Sequence, residues 1–150
     1  MQHVVTSPRA PFQSADGSFE VHQIPAWTDN LIWLLVCVET RQAAAVDGPE
    51  ASGVLAYCDA HGLTLTTILN THTHPDHIGI NKDLQRLGLL DTMRVYGPAT
   101  AAKAVPGLTH PVSEGDTAGF GTVCGDVWLT EGHLNGHITF LFDDVVFCGD

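Results

Sequence analysis

The segment Thr71-His72-Thr73-His74-Pro75-Asp76-His77-Ile78-Gly79 sets four metal-capable side chains, His72, His74, Asp76 and His77, within six residues, directly after the apolar run Leu63 to Leu69. Alternate side chains of extended backbone point the same way, so His72 and His74 share a face. Asp76 and His77 fall where the chain turns into its next element and face a second point nearby. Two ligand sets imply two metal ions. Imidazole and carboxylate donors suit Zn, Fe or Mn, and no thiolate stands in the cluster, which argues against a closed structural zinc site of the finger type. The alternative reading is a polar surface loop that happens to be rich in histidine.

Two later segments supply further donors. Thr130-Glu131-Gly132-His133-Leu134-Asn135-Gly136-His137-Ile138 follows a strand-like stretch, and its glycines let the backbone pass close to a site. His133 is the third imidazole candidate. Val145-Val146-Phe147-Cys148-Gly149-Asp150 reads as a strand ending on Gly-Asp, and the two oxygens of Asp150 suit it to bridge two cations. His137 fits a supporting or structural role at least as well as ligation. His3, His22, His61 and His110 stand alone in the sequence and read as ordinary surface or structural residues.

The elements that must position these donors follow from periodicity. Met1 to Ser18 mixes Pro, Ser, Gly and Ala without a hydrophobic period and is expected to form a flexible arm. Phe19 to Ile24, Leu31 to Val38 and Ala43 to Val46 read as consecutive strands, with turns at Pro25 to Asn30 and Glu39 to Gln42. Pro49 stands at a helix-start position, and a helix is predicted over about Glu50 to His61, capped by Gly62. Leu63 to Leu69 reads as a buried strand leading into the histidine cluster. After the cluster, Ile80, Leu84 and Leu87 keep helical spacing. Met93 to Tyr96, Val123 to Leu129, Ile138 to Phe142 and Val145 to Phe147 return to strand character, with a turn at Asp143-Asp144. This alternation predicts one layered α/β domain over residues 19–150.

Composition narrows the function classes. A chain of 150 residues with 44% hydrophobic and 15% charged content suffices for one core and is short for two domains. Six basic against 17 acidic residues give a net charge of -11, which repels phosphate backbones and anionic membrane surfaces. The longest apolar run, Leu31 to Val38, is far below the roughly 20 residues of a membrane span. No nucleic-acid or membrane partner is therefore expected, and the cytoplasm is the expected compartment. Cys37, Cys58, Cys124 and Cys148 lack a C-x-x-C pair and read as reduced, buried thiols.

In order and approximate spacing, His72-x-His74-x-Asp76-His77, then Thr-x-Gly-His133, then Gly149-Asp150 resembles the metallo-β-lactamase superfamily, whose fold is an αββα sandwich with a dinuclear site on one edge. Within it the sequence is similar to glyoxalase II, the hydroxyacylglutathione hydrolases. Thr28-Asp29-Asn30, Val46-Asp47, Thr66 to Thr71, Asn81, Val95-Tyr96-Gly97 and Gly132-His133-x-x-Gly136-His137-Ile138 carry that likeness. The resemblance implies that His72, His74 and His133 hold the first metal, Asp76 and His77 the second, and that Asp150 bridges them. It also implies two divalent ions, zinc first with iron or manganese as alternatives, and a small glutathione-derived thioester as substrate. Glu131 stands where the family commonly has Pro, Thr73 and Ile80 replace frequent His and Gly, and Gly48 replaces a common Pro. Each touches a loop without removing a ligand. The family continues beyond the point matching Asp150, with a further His for the second metal and a glutathione-binding helical region. The expectation is therefore an incomplete domain that leaves an apolar sheet face and strand edges uncovered.

Two metals about 3.5–4 Å apart lower the pKa of water toward about 7 and so supply a nucleophilic hydroxide. Hydrolysis of a thioester such as S-lactoylglutathione follows, with Asp76 beside the nucleophile as the catalytic candidate. A persulfide dioxygenase using a single iron, and a non-catalytic metal-binding remnant, are the alternatives on the same motif set.

Overall fold

The computed structural model describes residues 7–150. Strands β1 (Phe12–Gln13), β2 (Phe19–Ala26), β3 (Asn30–Cys37), β4 (Gln42–Val46), β5 (Thr64–Leu69), β6 (Arg94–Pro98) and β7 (His110–Val112) form one sheet in chain order. The pairs from β1 to β4 are antiparallel, and those from β4 to β7 are parallel. A second, antiparallel sheet has the order β11-β10-β9-β8, from β8 (Thr117–Phe120), β9 (Val123–Leu129), β10 (Ile138–Phe142) and β11 (Val145–Phe147).

Parallel pairing requires crossovers, and helices α1 (Ser52–His61) and α2 (Pro75–Arg86) supply those between β4, β5 and β6. Both pack on one face of the large sheet: Val54, Cys58, Ile80 and Leu84 share a core with Leu34, Val36, Ala43, Ala45 and Ile68. The alternate residues Leu35, Ala44 and Leu69 point the other way, into a second core with Phe120, Val127, Phe140 and Phe142 of the small sheet. Burial on both faces explains why Leu31 to Val38 shows no polar alternation. The three layers are thus helices, mixed sheet and antiparallel sheet.

The sequence boundaries shift by a residue or two in most elements. The helix expected from Glu50 begins at Ser52 and ends at Gly62 in the left-handed conformation, φ 65°. β2 runs on through Pro25 and Ala26, so the following turn tightens to Trp27–Asp29. β7 and β8 were not predicted, being three and four residues long with exposed positions. Residues 1–6, with His3, lie outside the described residues, as does that part of the expected arm. Phe12–Gln13 pairs with β2 and Ser14 is buried. The backbone N–H groups of Ala15 and Asp16 donate to Asp144 and Asp143 at 3.0 and 2.9 Å, which ties this stretch to the β10–β11 turn.

Cys37 and Cys58 are buried free thiols as expected, whereas Cys124 and Cys148 are exposed. Cys124 sits on the outward side of β9, and Cys148 follows the edge strand β11. Trp128 and Val146, on the outward face of the small sheet, are 43% and 49% exposed. Among the described residues no helix is long and apolar enough to cross a membrane.

Candidate metal centre

Parallel strands bring their C-terminal ends to one edge of a sheet. Asp47 directly follows β4 and Asn70 directly follows β5, so the loops carrying Asp47 and the 71–77 cluster lie side by side. Pro75 opens α2, where its missing N–H costs nothing, and Asp76 and His77 occupy the helix's first turn. His74 precedes the helix in extended backbone, φ -66° and ψ 150°. The β9–β10 loop delivers His133 to the same edge. Its closure uses Glu131, whose carboxylate accepts from Gly136 N–H at 2.9 Å, an internal bond made by one of the residues that departs from the family pattern.

All six predicted donors converge. His72 Nε2 lies 3.1 Å from His74 Nδ1, and His133 Nε2 lies 2.9 Å from the same nitrogen. Asp150 Oδ2 stands 3.8 Å from His72 Nε2, 3.6 Å from His133 Nε2 and 3.2 Å from His77 Nε2. His77 Nε2 is 3.5 Å from Asp76 Oδ2. Two atoms bonded tetrahedrally to one ion at about 2.0–2.1 Å are about 3.3 Å apart, so these spacings fit metal ligation. One group comprises His72, His74, His133 and Asp150, another Asp76, His77 and Asp150. Asp150 belongs to both. His137 is not among the grouped donors; its ring stacks on His72 with centroids 4.8 Å apart.

The supporting contacts select the ring nitrogens that face the space between the donors. Thr71 Oγ1 donates to Asp47 Oδ2 at 2.7 Å and lies 2.9 Å from His72 Nδ1. With its hydroxyl proton spent on Asp47, Thr71 accepts from His72 Nδ1–H, which leaves the Nε2 lone pair free. His77 Nδ1 lies 2.9 Å from the same Asp47 carboxylate, close but not aligned as a hydrogen bond, and its Nε2 likewise faces the donors. Asp47 therefore orients one candidate donor, His77, directly and another, His72, through Thr71. Sequence reasoning took Asp47 only as a strand end and a point of likeness. The signal that could have found it is a carboxylate at the end of a strand parallel to the one feeding the cluster.

Burial and neighbouring histidines push the His72 pKa down to about 4, so this ligand is neutral at pH 7. Burial also works against a charge on His77, but contact with Asp47, backed by the charges of Asp150 and Asp76, outweighs it and lifts the pKa to about 9. A raised folded-state value stabilises the metal-free protein fully below the ordinary His value of about 6.5, and that contribution fades as pH rises through 9. Metal binding needs the neutral ring. We therefore expect uptake at the Asp76–His77 position to release a proton at pH 7 and its affinity to rise between pH 7 and 9. Calorimetric titrations in buffers of different ionisation enthalpy check this, and proton-free binding would refute it.

Packing fixes the first turn of α2. A Cβ on Gly79 would lie 2.1 Å from the carbonyl oxygen of Pro49, and the Ile80 N–H donates to Gly48 O at 2.8 Å. Asn70 and Asn81 form a buried reciprocal amide pair at 2.7 and 3.0 Å, and Asn70 also donates to His77 O at 3.1 Å. Gly79→Ala is expected to push α2 off the 48–49 loop, at a cost of roughly 1–3 kcal/mol. Thermal unfolding reads that loss, and metal titration should show the second group affected more than the first.

A cavity of about 540 Å³ opens beside Asp76, His77 and Asp150, walled by apolar side chains that include Leu31, Trp33 and Val145. No family model matches the sequence. In its coordinates the chain is similar to the BLEG-1 B3 metallo-β-lactamase, with TM-score 0.72 and 21% identity over 87% of this chain and 71% of that one. The chain has the metallo-β-lactamase fold. ETHE1 from Myxococcus xanthus shares that fold with TM-score 0.64 and 26% identity, over 97% of this chain and 57% of that protein. In sequence, the hydroxyacylglutathione hydrolase of a Synechococcus species is 44% identical over 138 residues, covering 85% of this chain and 52% of the relative. That of Rhodospirillum rubrum is 37% identical, over 89% of this chain and 52% of the relative. This metallo-β-lactamase-fold chain thus spans about half the length of the curated relatives it matches.

Proposed function

We propose that this chain is the metal-holding part of a hydrolase that cleaves a glutathione-derived thioester such as S-lactoylglutathione, and that turnover also needs the further half present in its relatives. The observation that carries this reading is Asp150 Oδ2 standing within 3.2–3.8 Å of His72, His77 and His133, between two donor groups. Two divalent ions held there, zinc first and iron or manganese as alternatives, would supply a hydroxide near neutral pH and stabilise charge on an attacked acyl oxygen. His72, His74 and His133 would present ring nitrogens to the first ion. Asp76 would present a carboxylate oxygen and His77 its Nε2 to the second, and Asp76 would also orient the nucleophile. The leaving thiol has a pKa near 8.5, so its departure requires little help from an acid. The likeness to hydroxyacylglutathione hydrolases supports this substrate class, and the apolar cavity offers room beside the donors.

A second reading, oxygen chemistry on a persulfide at one iron, is supported by the first donor group alone, which is complete within the chain. The test is thiol release from S-lactoylglutathione by the zinc-loaded protein, as the isolated chain and joined to the remaining half of a hydroxyacylglutathione hydrolase. It is run beside oxygen uptake with glutathione persulfide by the iron-loaded protein. Thiol release by the joined form is expected. Oxygen uptake without thioester cleavage would transfer the assignment to the dioxygenase, and tight metal with neither activity would leave a non-catalytic metal-binding role.

A further inference from the structure

His137 is 1% exposed, and its Nε2 has no hydrogen-bond partner. Such a group is poorly chosen for a core unless its shape is used. Nδ1 is anchored 3.0 Å from Thr130 Oγ1, which in turn lies 2.9 Å from Thr139 Oγ1. The ring lies 30° from the plane of the His72 ring, with centroids 4.8 Å apart. Its far edge meets the backbone that carries Asp150. Gly149 is in the left-handed region, φ 62°, and a Cβ there would fall 2.7 Å from His137 Nε2 and 2.6 Å from Thr71 Oγ1. His137 therefore fills the wedge between a metal ligand and the Gly149 backbone, touching both.

We propose that His137 is a positioning residue for the bridging carboxylate: its planar ring, standing on His72 and held by Thr130, is the spacer that sets Gly149 and so places Asp150 between the two donor groups. The proposal rests on the dinuclear reading above and assigns His137 no bond to metal. A shorter side chain would let Gly149 sink toward His72 and carry Asp150 away from His77. The first donor group, which has three histidines besides Asp150, would be affected less than the second, which has only Asp76 and His77.

The test is cobalt(II) titration of the 150-residue chain, following the visible absorption of each equivalent, with zinc competition for affinity and thermal unfolding of the metal-free proteins alongside. His137→Ala is expected to weaken the second equivalent at least tenfold while the first changes less than threefold. His137→Gln, whose planar amide reaches the same point, is expected to restore the second equivalent to within about fivefold of wild type. Thr130→Val, which frees the ring without emptying the wedge, should shift the second equivalent in the same direction as Ala and by less; it carries the test if His137→Ala does not fold. Equal second-site affinity in wild type and His137→Ala, or in wild type and Thr130→Val if Ala is unfolded, would overturn the assignment, as would His137→Gln as impaired as Ala. Where the isolated chain takes up no second equivalent, the same series is read on the chain joined to the remaining half of a hydroxyacylglutathione hydrolase, and no second equivalent there either would overturn the dinuclear reading and this proposal with it.

Discussion

Asp150→Ala is expected to leave the fold intact and to lower metal affinity by at least about a hundredfold, with the second equivalent lost. The carboxylate is 47% exposed, so its removal empties no core position. Surface substitutions of this kind shift stability by about 0.5 kcal/mol or less. Its oxygen nevertheless faces three histidines, and it is the carboxylate shared by the His72, His74, His133 group and the Asp76, His77 group. Loss of a shared ligand removes a bond from each ion and the element that fixes their separation. Zinc retained after dialysis, measured by elemental analysis beside a thermal melt, checks the claim. Unchanged retention would refute the bridging role.

Asp47→Ala is expected to damage both stability and metal binding. The side chain accepts from Thr71 N–H at 2.8 Å and from the Thr71 hydroxyl at 2.7 Å, and it faces His77 Nδ1 at 2.9 Å. Removing it leaves the Thr71 N–H buried without a partner, which costs about 1–3 kcal/mol. Asp47 also sits at φ 54°, a left-handed conformation that Asp tolerates better than alanine, which adds to the cost. Losing the group that orients ligating histidines typically costs about 10–100-fold in metal affinity. Asp47→Asn keeps an acceptor for Thr71 and tolerates the backbone, so it should recover most of the stability and less of the affinity. Denaturant unfolding and metal competition measured on both variants separate the two effects. Equal metal affinity in Asp47→Ala and wild type would remove Asp47 from the account.

The donors were legible in the sequence because their spacing is itself the signal: an apolar strand, alternating His72 and His74, then Asp76-His77 at a helix start. Most elements were legible for a similar reason. The buried strands are apolar runs, and Gly62 marks a helix end wherever it meets an αL position. The supporting residues were less so. Asp47 precedes the cluster by 25 residues, and only the parallel pairing of β4 with β5 brings them together. His137 read as a supporting or structural residue at least as well as a ligand, and its ring stacks on His72 instead of joining the donors. β1 and β8 are short, and their pairing depends on contacts with β2 and β9 that no local pattern announces.

The measurement that bears most directly on the metal centre is a crystal structure of the zinc-loaded protein with anomalous scattering at the zinc edge. The expected result is one peak bonded to His72 Nε2, His74 Nδ1 and His133 Nε2, with Asp150 reaching between it and a weaker second peak at Asp76 and His77. Zinc bound elsewhere, or these side chains turned away from one another with no peak among them, would contradict the account.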